Sequence, residues 1–189
     1  MIRKTLTVCL TIAALALASA APLSETSLYN LESRWSDQNG TVHRWADLRG
    51  EVRVVALIYT HCRSVCPAIV QQMKETEARL SPAERKRVAF LLVSMDPEAD
   101  TSDQLRHFAE NRQLGPNWLL LRGKAADVRE LASTLDFKYR KNSNREFSHS
   151  AMITLLDADG EIVDQQLGLG DGSSERLRAL SKLLAAPSP

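Results

Sequence analysis

Cys62 and Cys66 are separated by three residues, Arg63-Ser64-Val65, at the point where an apolar run gives way to an amphipathic one. A spacing of four places both sulfurs on one face if the segment is helical, so a single small ion or a disulfide could engage both. The amides of a helix first turn and the positive end of its dipole favour thiolate over thiol, and Arg63 adds a nearby cation. Pro67 fits the same place, because first-turn N–H groups lack intrahelical partners. The competing readings are two cysteines packed as small hydrophobes or one inert structural disulfide. A bridge closing so short a loop restricts little chain entropy, which favours chemistry over stability as the reason for the pair.

Two thiolates leave a coordination shell incomplete, and a neutral imidazole is the natural addition. Four histidines are present. His149 follows the polar stretch from Asn142 to Ser148 and immediately precedes a strand that starts at Ala151, and in an α/β sheet the segments at strand ends gather around the site. On these residues alone it reads more readily as a surface or hydrogen-bonded histidine than as a ligand. His61 adjoins Cys62 and is a secondary candidate; His43 and His107 read as solvent-facing. A Cys2His set with soft sulfurs suits Cu(I), imidazole also admits Cu(II), and Zn(II) would want a fourth ligand, so copper is the first choice.

Other short patterns carry less. Gly168 to Gly172 has neither the complete dinucleotide fingerprint nor a Lys-Ser/Thr pair, and reads as a flexible loop. Asp157-Ala158-Asp159-Gly160 lacks the downstream ligands of a calcium loop and reads as a hairpin turn. Asn39-Gly40-Thr41 fits a glycosylation acceptor but is explained by a turn.

The 189 residues are 44% apolar and 25% charged, enough for one packed domain. Lys+Arg total 24 against 23 Asp+Glu, so no nucleic-acid partner is expected. Arg3 and Lys4, the apolar stretch Leu6 to Ala18 and the small residues Ala18-Ser19-Ala20 read as a secretory signal peptide over residues 1–20, with the functional domain over 21–189. The apolar core of about 13 residues is shorter than a bilayer span, so a membrane anchor is not expected, although the uncharged stretch Thr5 to Ser24 leaves an uncleaved anchor in the inner membrane as the alternative. Cleavage would remove Cys9, leaving two cysteines in an oxidising compartment.

Strands alternate with helices along the remainder. Leu28 to Trp35 and Thr41 to Trp45 flank an Asn-Gly turn and form an N-terminal hairpin. Val52 to Tyr59, interrupted only by Arg53, and Val88 to Ser94 read as central strands covered on both faces. Ile69, Met73, Thr76 and Leu80 mark a first helix ending near Ser81-Pro82, and Thr101 caps a second that runs to Asn111. Trp118 to Leu121 is a short strand, and Val128, Leu131, Ala132 and Leu135 mark a third helix. Ala151 to Leu156 and Glu161 to Leu167 form a hairpin, and Ser174 caps a last helix through Leu184. This is an α/β three-layer sandwich with a mixed sheet.

Three separated blocks, Tyr59-Thr60-His61-Cys62-Arg63-Ser64-Val65-Cys66-Pro67, Val93 to Thr101 with Asp96-Pro97 and Asp100-Thr101, and Phe147-Ser148-His149-Ser150-Ala151, resemble the SCO/SenC family in that order. The resemblance spans roughly Leu28 to Leu184. It implies a thioredoxin-like fold with an added N-terminal β-hairpin, and copper, Cu(I) or Cu(II), held by Cys62, Cys66 and His149. It is this resemblance that raises His149 above the other histidines. The implied role is assembly of the binuclear copper centre of cytochrome c oxidase, by handing over copper or by reducing the recipient's cysteines with Cys62 and Cys66 as the redox pair. The implied partners are the copper-bearing oxidase subunit or another periplasmic cuproprotein, with an upstream copper chaperone as a further class. The competing reading is a metal-independent periplasmic thiol-disulfide oxidoreductase. A peroxidase on the same fold is disfavoured, since no Pro-x-x-x-Thr-x-x-Cys element precedes the first cysteine. Where many family members carry Pro-Asp between the cysteines, this chain has Arg63-Ser64, which removes a carboxylate and adds a cation.

Overall fold

The computed structural model describes residues 22–143, 146–170 and 173–185. The expected signal peptide and the first residue of the expected domain lie outside these. No helix among the described residues is long and apolar enough to cross a membrane.

A single-turn 3-10 helix, Leu28–Asn30, precedes β1 (Arg34–Asp37) and β2 (Val42–Arg44). The N-terminal hairpin is therefore present but starts later than its apolar run implies. Leu28 and Tyr29 are buried in the core from a short helix that Ser27 caps through the amide of Tyr29, so their apolar character reflects burial and not strand pairing. The hairpin docks antiparallel to β5 (Trp118–Arg122) at one edge of the main sheet. His43, expected to face solvent, is partly covered: its Nε2 lies 2.9 Å from the buried Asp37 carboxylate, which also accepts from the amides of Asn39 and Thr41 in the turn.

The sheet centre is β3 (Val52–Ile58) and β4 (Val88–Ser94), every residue of which is buried. Burial of successive residues means that both faces are covered, which is the three-layer arrangement. Arg53, the one polar interruption in β3, is accommodated because its guanidinium donates to the Leu48 carbonyl at 2.8 and 2.5 Å. Between β3 and β4 run α1 (Val65–Ala78) and a single-turn α2 (Pro82–Arg85), closed by a capping box between Ser81 and Glu84. Then follow α3 (Ser102–Asn111), capped by Thr101, and, after β5, α4 (Ala125–Thr134).

The chain next forms β6 (Tyr139–Lys141) and β7 (Phe147–His149), a two-stranded antiparallel arm separate from the main sheet. It returns as β8 (Met152–Leu156) and β9 (Ile162–Leu167) and ends in α5 (Ser173–Ala185), which packs on α1 and β3. The order of the seven-stranded sheet is β2-β1-β5-β4-β3-β8-β9, parallel across β5-β4-β3 and antiparallel elsewhere, which makes it mixed.

The turn between β8 and β9 is held by Asp157, whose Oδ1 accepts from the amides of Asp159 and Glu161. That carboxylate is already occupied by backbone, in keeping with a turn and not a calcium loop. Gly160 sits there at φ +83°, where a Cβ would lie 2.7 Å from the Tyr29 ring. Gly160→Ala combines backbone strain with overpacking, so it is expected to destabilise by about 2–3 kcal/mol, read as a lower urea midpoint with an unchanged slope.

Candidate metal and thiol centre

The end of β3 delivers the chain into the turn Tyr59 to Cys62, closed by the amide of Cys62 donating to the Tyr59 carbonyl at 3.2 Å. Asp100, fully buried, fixes this turn from below. It accepts from the Thr60 amide at 3.1 Å and the Thr60 hydroxyl at 2.6 Å, and from the Ser94 hydroxyl at 2.6 Å. Burial pushes the Asp100 carboxyl up, against the downward pull of these hydroxyl and amide donors. The end of β4 and the start of α3 are thereby tied to the residue two before Cys62.

Helix α1 begins at Val65, so Cys66 is in its first turn and Cys62 precedes the helix. The sulfurs do converge, but not as i and i+4 of one helix face. Cys62 loops back over the helix start, and its Sγ receives the Cys66 amide at 3.4 Å. A first-turn amide has no carbonyl partner within the helix, and a thiolate can take that place. Both cysteines are buried and no bond joins them.

The two thiols have opposite tendencies. Burial opposes ionisation of Cys62, but hydrogen bonds from the Cys66 thiol and the amides of Cys66 and Ser64 outweigh it and bring the group down to about 6. Arg63, exposed to solvent, is not among the main causes, contrary to its expected part. Burial pushes the Cys66 thiol up, reinforced by its hydrogen bond to Cys62. Cys62 is thus the thiolate at neutral pH, and Cys66 keeps its proton and donates it. Burial first, and a hydrogen bond to Cys62 among the further causes, push Tyr59 up to about 12, so its phenol stays protonated beside the sulfur.

The third donor arrives on β7. His149 Nε2 lies 3.7 Å from Cys66 Sγ, and the ligand atoms of Cys62, Cys66 and His149 all fall within 4.8 Å of one another. His149 Nδ1 is 2.8 Å from the Ser150 carbonyl oxygen. A carbonyl can only accept, so Nδ1 carries the proton and the neutral ring presents the Nε2 lone pair toward the sulfurs. Two soft sulfurs and one imidazole, already gathered and correctly oriented, fit a soft ion such as Cu(I) and admit Cu(II).

Cross-strand pairs Tyr139 with His149 and Lys141 with Phe147 put these four side chains on one face of the arm. That face turns inward. Tyr59 meets Phe147 at a ring separation of 5.1 Å and His149 at 6.0 Å, and Phe137 stacks on His149 at 5.9 Å. Lys141 Nζ pairs with Asp96 at 2.9 Å and reaches Glu98 at 3.7 Å, so an ion pair joins the arm to the segment between β4 and α3. Aromatic faces adhere with little positional demand, whereas the short ion pair sets where the arm sits. Lys141→Gln is expected to weaken metal binding by about tenfold, the low end of the effect of losing a supporting contact behind a ligand. Lys141→Arg keeps most of it, and both variants retain the alkylation rate of Cys62.

Of the residues singled out from sequence, the structure brings Cys62, Cys66 and His149 together. His61 points elsewhere: its side chain is 66% exposed, and its Nδ1 is 3.1 Å from the Thr60 hydroxyl. His107 is exposed as expected and lies beside Glu110. The aromatic surround of His149 and the Lys141 pair went unread. Their signal was present in the alternation of Tyr139 with Lys141 and of Phe147 with His149.

A family model described as SCO1/SenC matches residues 24–184. Among curated proteins, the chain is 28% identical over 139 residues to the SCO1 protein homolog of Bacillus subtilis (strain 168), covering 71% of this chain and 72% of that one. Some other curated relatives are longer, the match spanning 64% and 50% of two of them. Among solved structures, Bradyrhizobium japonicum ScoI with copper bound matches at 24% identity with a TM-score of 0.68, over 80% of this chain and 96% of that one. BsSco, described as a member of the Sco family of cytochrome c oxidase assembly proteins with a disulfide switch, matches at 25% identity and a TM-score of 0.70, over 82% and 92% of the two chains. The chain shares the thioredoxin-like fold of these structures.

Proposed function

The chain belongs to the SCO1/SenC family, and from that premise we propose that it binds copper through Cys62, Cys66 and His149 and acts in the assembly of the binuclear copper centre of cytochrome c oxidase. The observation that carries this reading is the convergence of the three donor atoms within 4.8 Å, with the imidazole proton fixed on the far nitrogen. Copper is cargo here. Cys62 is the ionised ligand before metal arrives, Cys66 gives up its proton on binding, and His149, on an arm outside the main sheet, is the donor best placed to be displaced by a recipient ligand. The likeness to a protein whose structure holds copper supports the choice of metal.

The proposed setting is the periplasm, reached through the signal peptide of residues 1–20. An N-terminal sequence of the exported protein beginning near Ala21 supports cleavage; retention of residues 1–20 in the membrane fraction supports the anchored alternative. The test of the function is titration of the reduced protein with copper. One equivalent is expected to bind, with a thiolate-to-metal charge-transfer band for Cu(II), and prior oxidation of Cys62 and Cys66 to a disulfide abolishes binding. Binding that survives oxidation overturns the site.

A second reading uses the same sulfurs without metal, and the opposed tendencies of the two thiols favour it. The Cys62 thiolate attacks a disulfide of the recipient, forming a mixed disulfide and releasing one recipient thiolate. Cys66 then loses its proton and attacks Cys62, releasing the second thiolate and closing the Cys62–Cys66 disulfide. Two electrons pass to the recipient, and an external dithiol must restore the pair. The disulfide switch named for BsSco supports this chemistry. Disulfide reduction that proceeds with a copper chelator present is the expected result.

A further inference from the structure

Resting on that reading, we propose that the mouth of the centre is a docking surface for an acidic protein segment, and that the outward face of the β6–β7 arm supplies its charge. The pairing that turns Tyr139, Lys141, Phe147 and His149 inward turns Arg140 and its partner Ser148 outward, and Lys138, two residues before Arg140, falls on the same side by strand alternation. Both basic residues are exposed. With Ser148 and His149 they line a cleft of 360 Å³ on one side of β7. On the other side, a cleft of 440 Å³ is lined by His61 and Arg63 with Ser148, and holds one acid, Glu146.

The two clefts share Ser148, the residue before His149, so a segment lying across the arm passes beside the strand that carries the imidazole. Among the described residues lining the two clefts, three exposed guanidinium or ammonium groups, Arg63, Lys138 and Arg140, face one carboxylate, in a chain whose formal net charge is only +1. Lys141, whose charge is met by Asp96 and Glu98, plays no part in this excess. Arg63 is separated from this pair in sequence but lines the same mouth. Charges at the rim of an interface steer approach and set its salt dependence more than they set the depth of binding. The cleft beside Arg63 is recessed and the one beside Lys138 and Arg140 is open and shallow, a stepped surface that an extended peptide follows and a planar bilayer does not.

The test uses the reduced full chain and two peptides that differ only in their flanks, one rich in Asp and Glu and the other in Lys, with serine in place of their cysteines so that binding is read apart from redox chemistry. At an ionic strength of about 0.01 M the acidic peptide is expected to bind about tenfold tighter, with the difference closing by about 1 M as the charges are screened. Lys138→Glu combined with Arg140→Glu removes the preference, while copper stoichiometry and reduction of a small neutral disulfide stay unchanged. Equal binding of the two peptides, or a preference that survives the double reversal, overturns the docking surface. So does binding to phosphatidylserine vesicles that the double reversal abolishes when no peptide preference exists. Loss of copper binding or disulfide reduction in the unaltered protein would count against the proposed function and leave the peptide comparison readable.

Discussion

His149→Ala lowers copper affinity by about 100-fold or more, and the thiolate-to-Cu(II) charge-transfer band shifts or disappears. Changes to groups that merely support a ligand cost about 10- to 100-fold, so removal of the ligand itself exceeds that range. The imidazole is one donor of three, and the remaining two sulfurs leave Cu(II) without the nitrogen it favours, while Cu(I) retains a two-coordinate sulfur site. The loss is therefore expected to be larger for Cu(II) than for Cu(I), a difference that separates a missing ligand from a collapsed fold. The reaction of Cys62 with alkylating reagents continues in this variant, because the Cys66 thiol and the amides of Cys66 and Ser64 still hold the thiolate. An unchanged copper band would remove His149 from the site.

Alkylation of the reduced protein with iodoacetamide proceeds at one cysteine, with a rate that rises through a midpoint near pH 6 and levels off by about pH 8. The attacking species is the thiolate, so the profile follows ionisation of Cys62, which its hydrogen-bond donors bring down to about 6 against the resistance of burial. A less basic thiolate is also a weaker nucleophile, which offsets part of the gain in abundance. Cys62→Ser abolishes the reaction, because burial pushes the Cys66 thiol up and keeps it protonated. Reduction of a disulfide substrate is lost with it, whereas Cys66→Ser leaves a protein that stops at the mixed disulfide. The same ionisation enters folding with a defined sign. A thiol whose folded value lies below its unfolded one adds stability at high pH that is lost as pH falls toward about 6. The stability advantage of the reduced protein over Cys62→Ser should grow from pH 6 toward pH 9.

The parts of this molecule that were legible in its sequence are those in which local pattern and tertiary role coincide. β3 and β4 announce themselves because strands covered on both faces must be apolar at every position, and β4 spans the same residues in sequence and in structure. Thr101 reads as a cap because its side chain has one local task, to accept from Gln104. α2 carried an equally local signal in Ser81 and Glu84, but one turn is too short to stand out against its neighbours. Leu28 and Tyr29 misled, since apolar residues that dock from a 3-10 turn resemble a strand when partners are unseen. His43 misled for the same reason, its partner Asp37 being hidden by the fold. The cysteines were plain from type and spacing, although Cys62 reaches Cys66 from outside the helix. The arm was not plain. Tyr139–Lys141 and Phe147–His149 are three residues each and polar in part, and what makes them strands is the surface of Tyr59 and Asp96 beneath them.

That arm has a bearing on how the protein could be altered over time or by design. The two sulfurs are bound into the seven-stranded sheet through Asp100 and the end of β3, so changes to them propagate into the core. The imidazole belongs to an appendage whose contacts with the body include aromatic rings and the pairing of Lys141 with Asp96 and Glu98. Under the proposed function, its outward residues can diverge while His149 stays in place, so that partner choice changes without moving the metal donors. Grafting a different arm onto the same frame would retarget the protein while conserving its reactive pair.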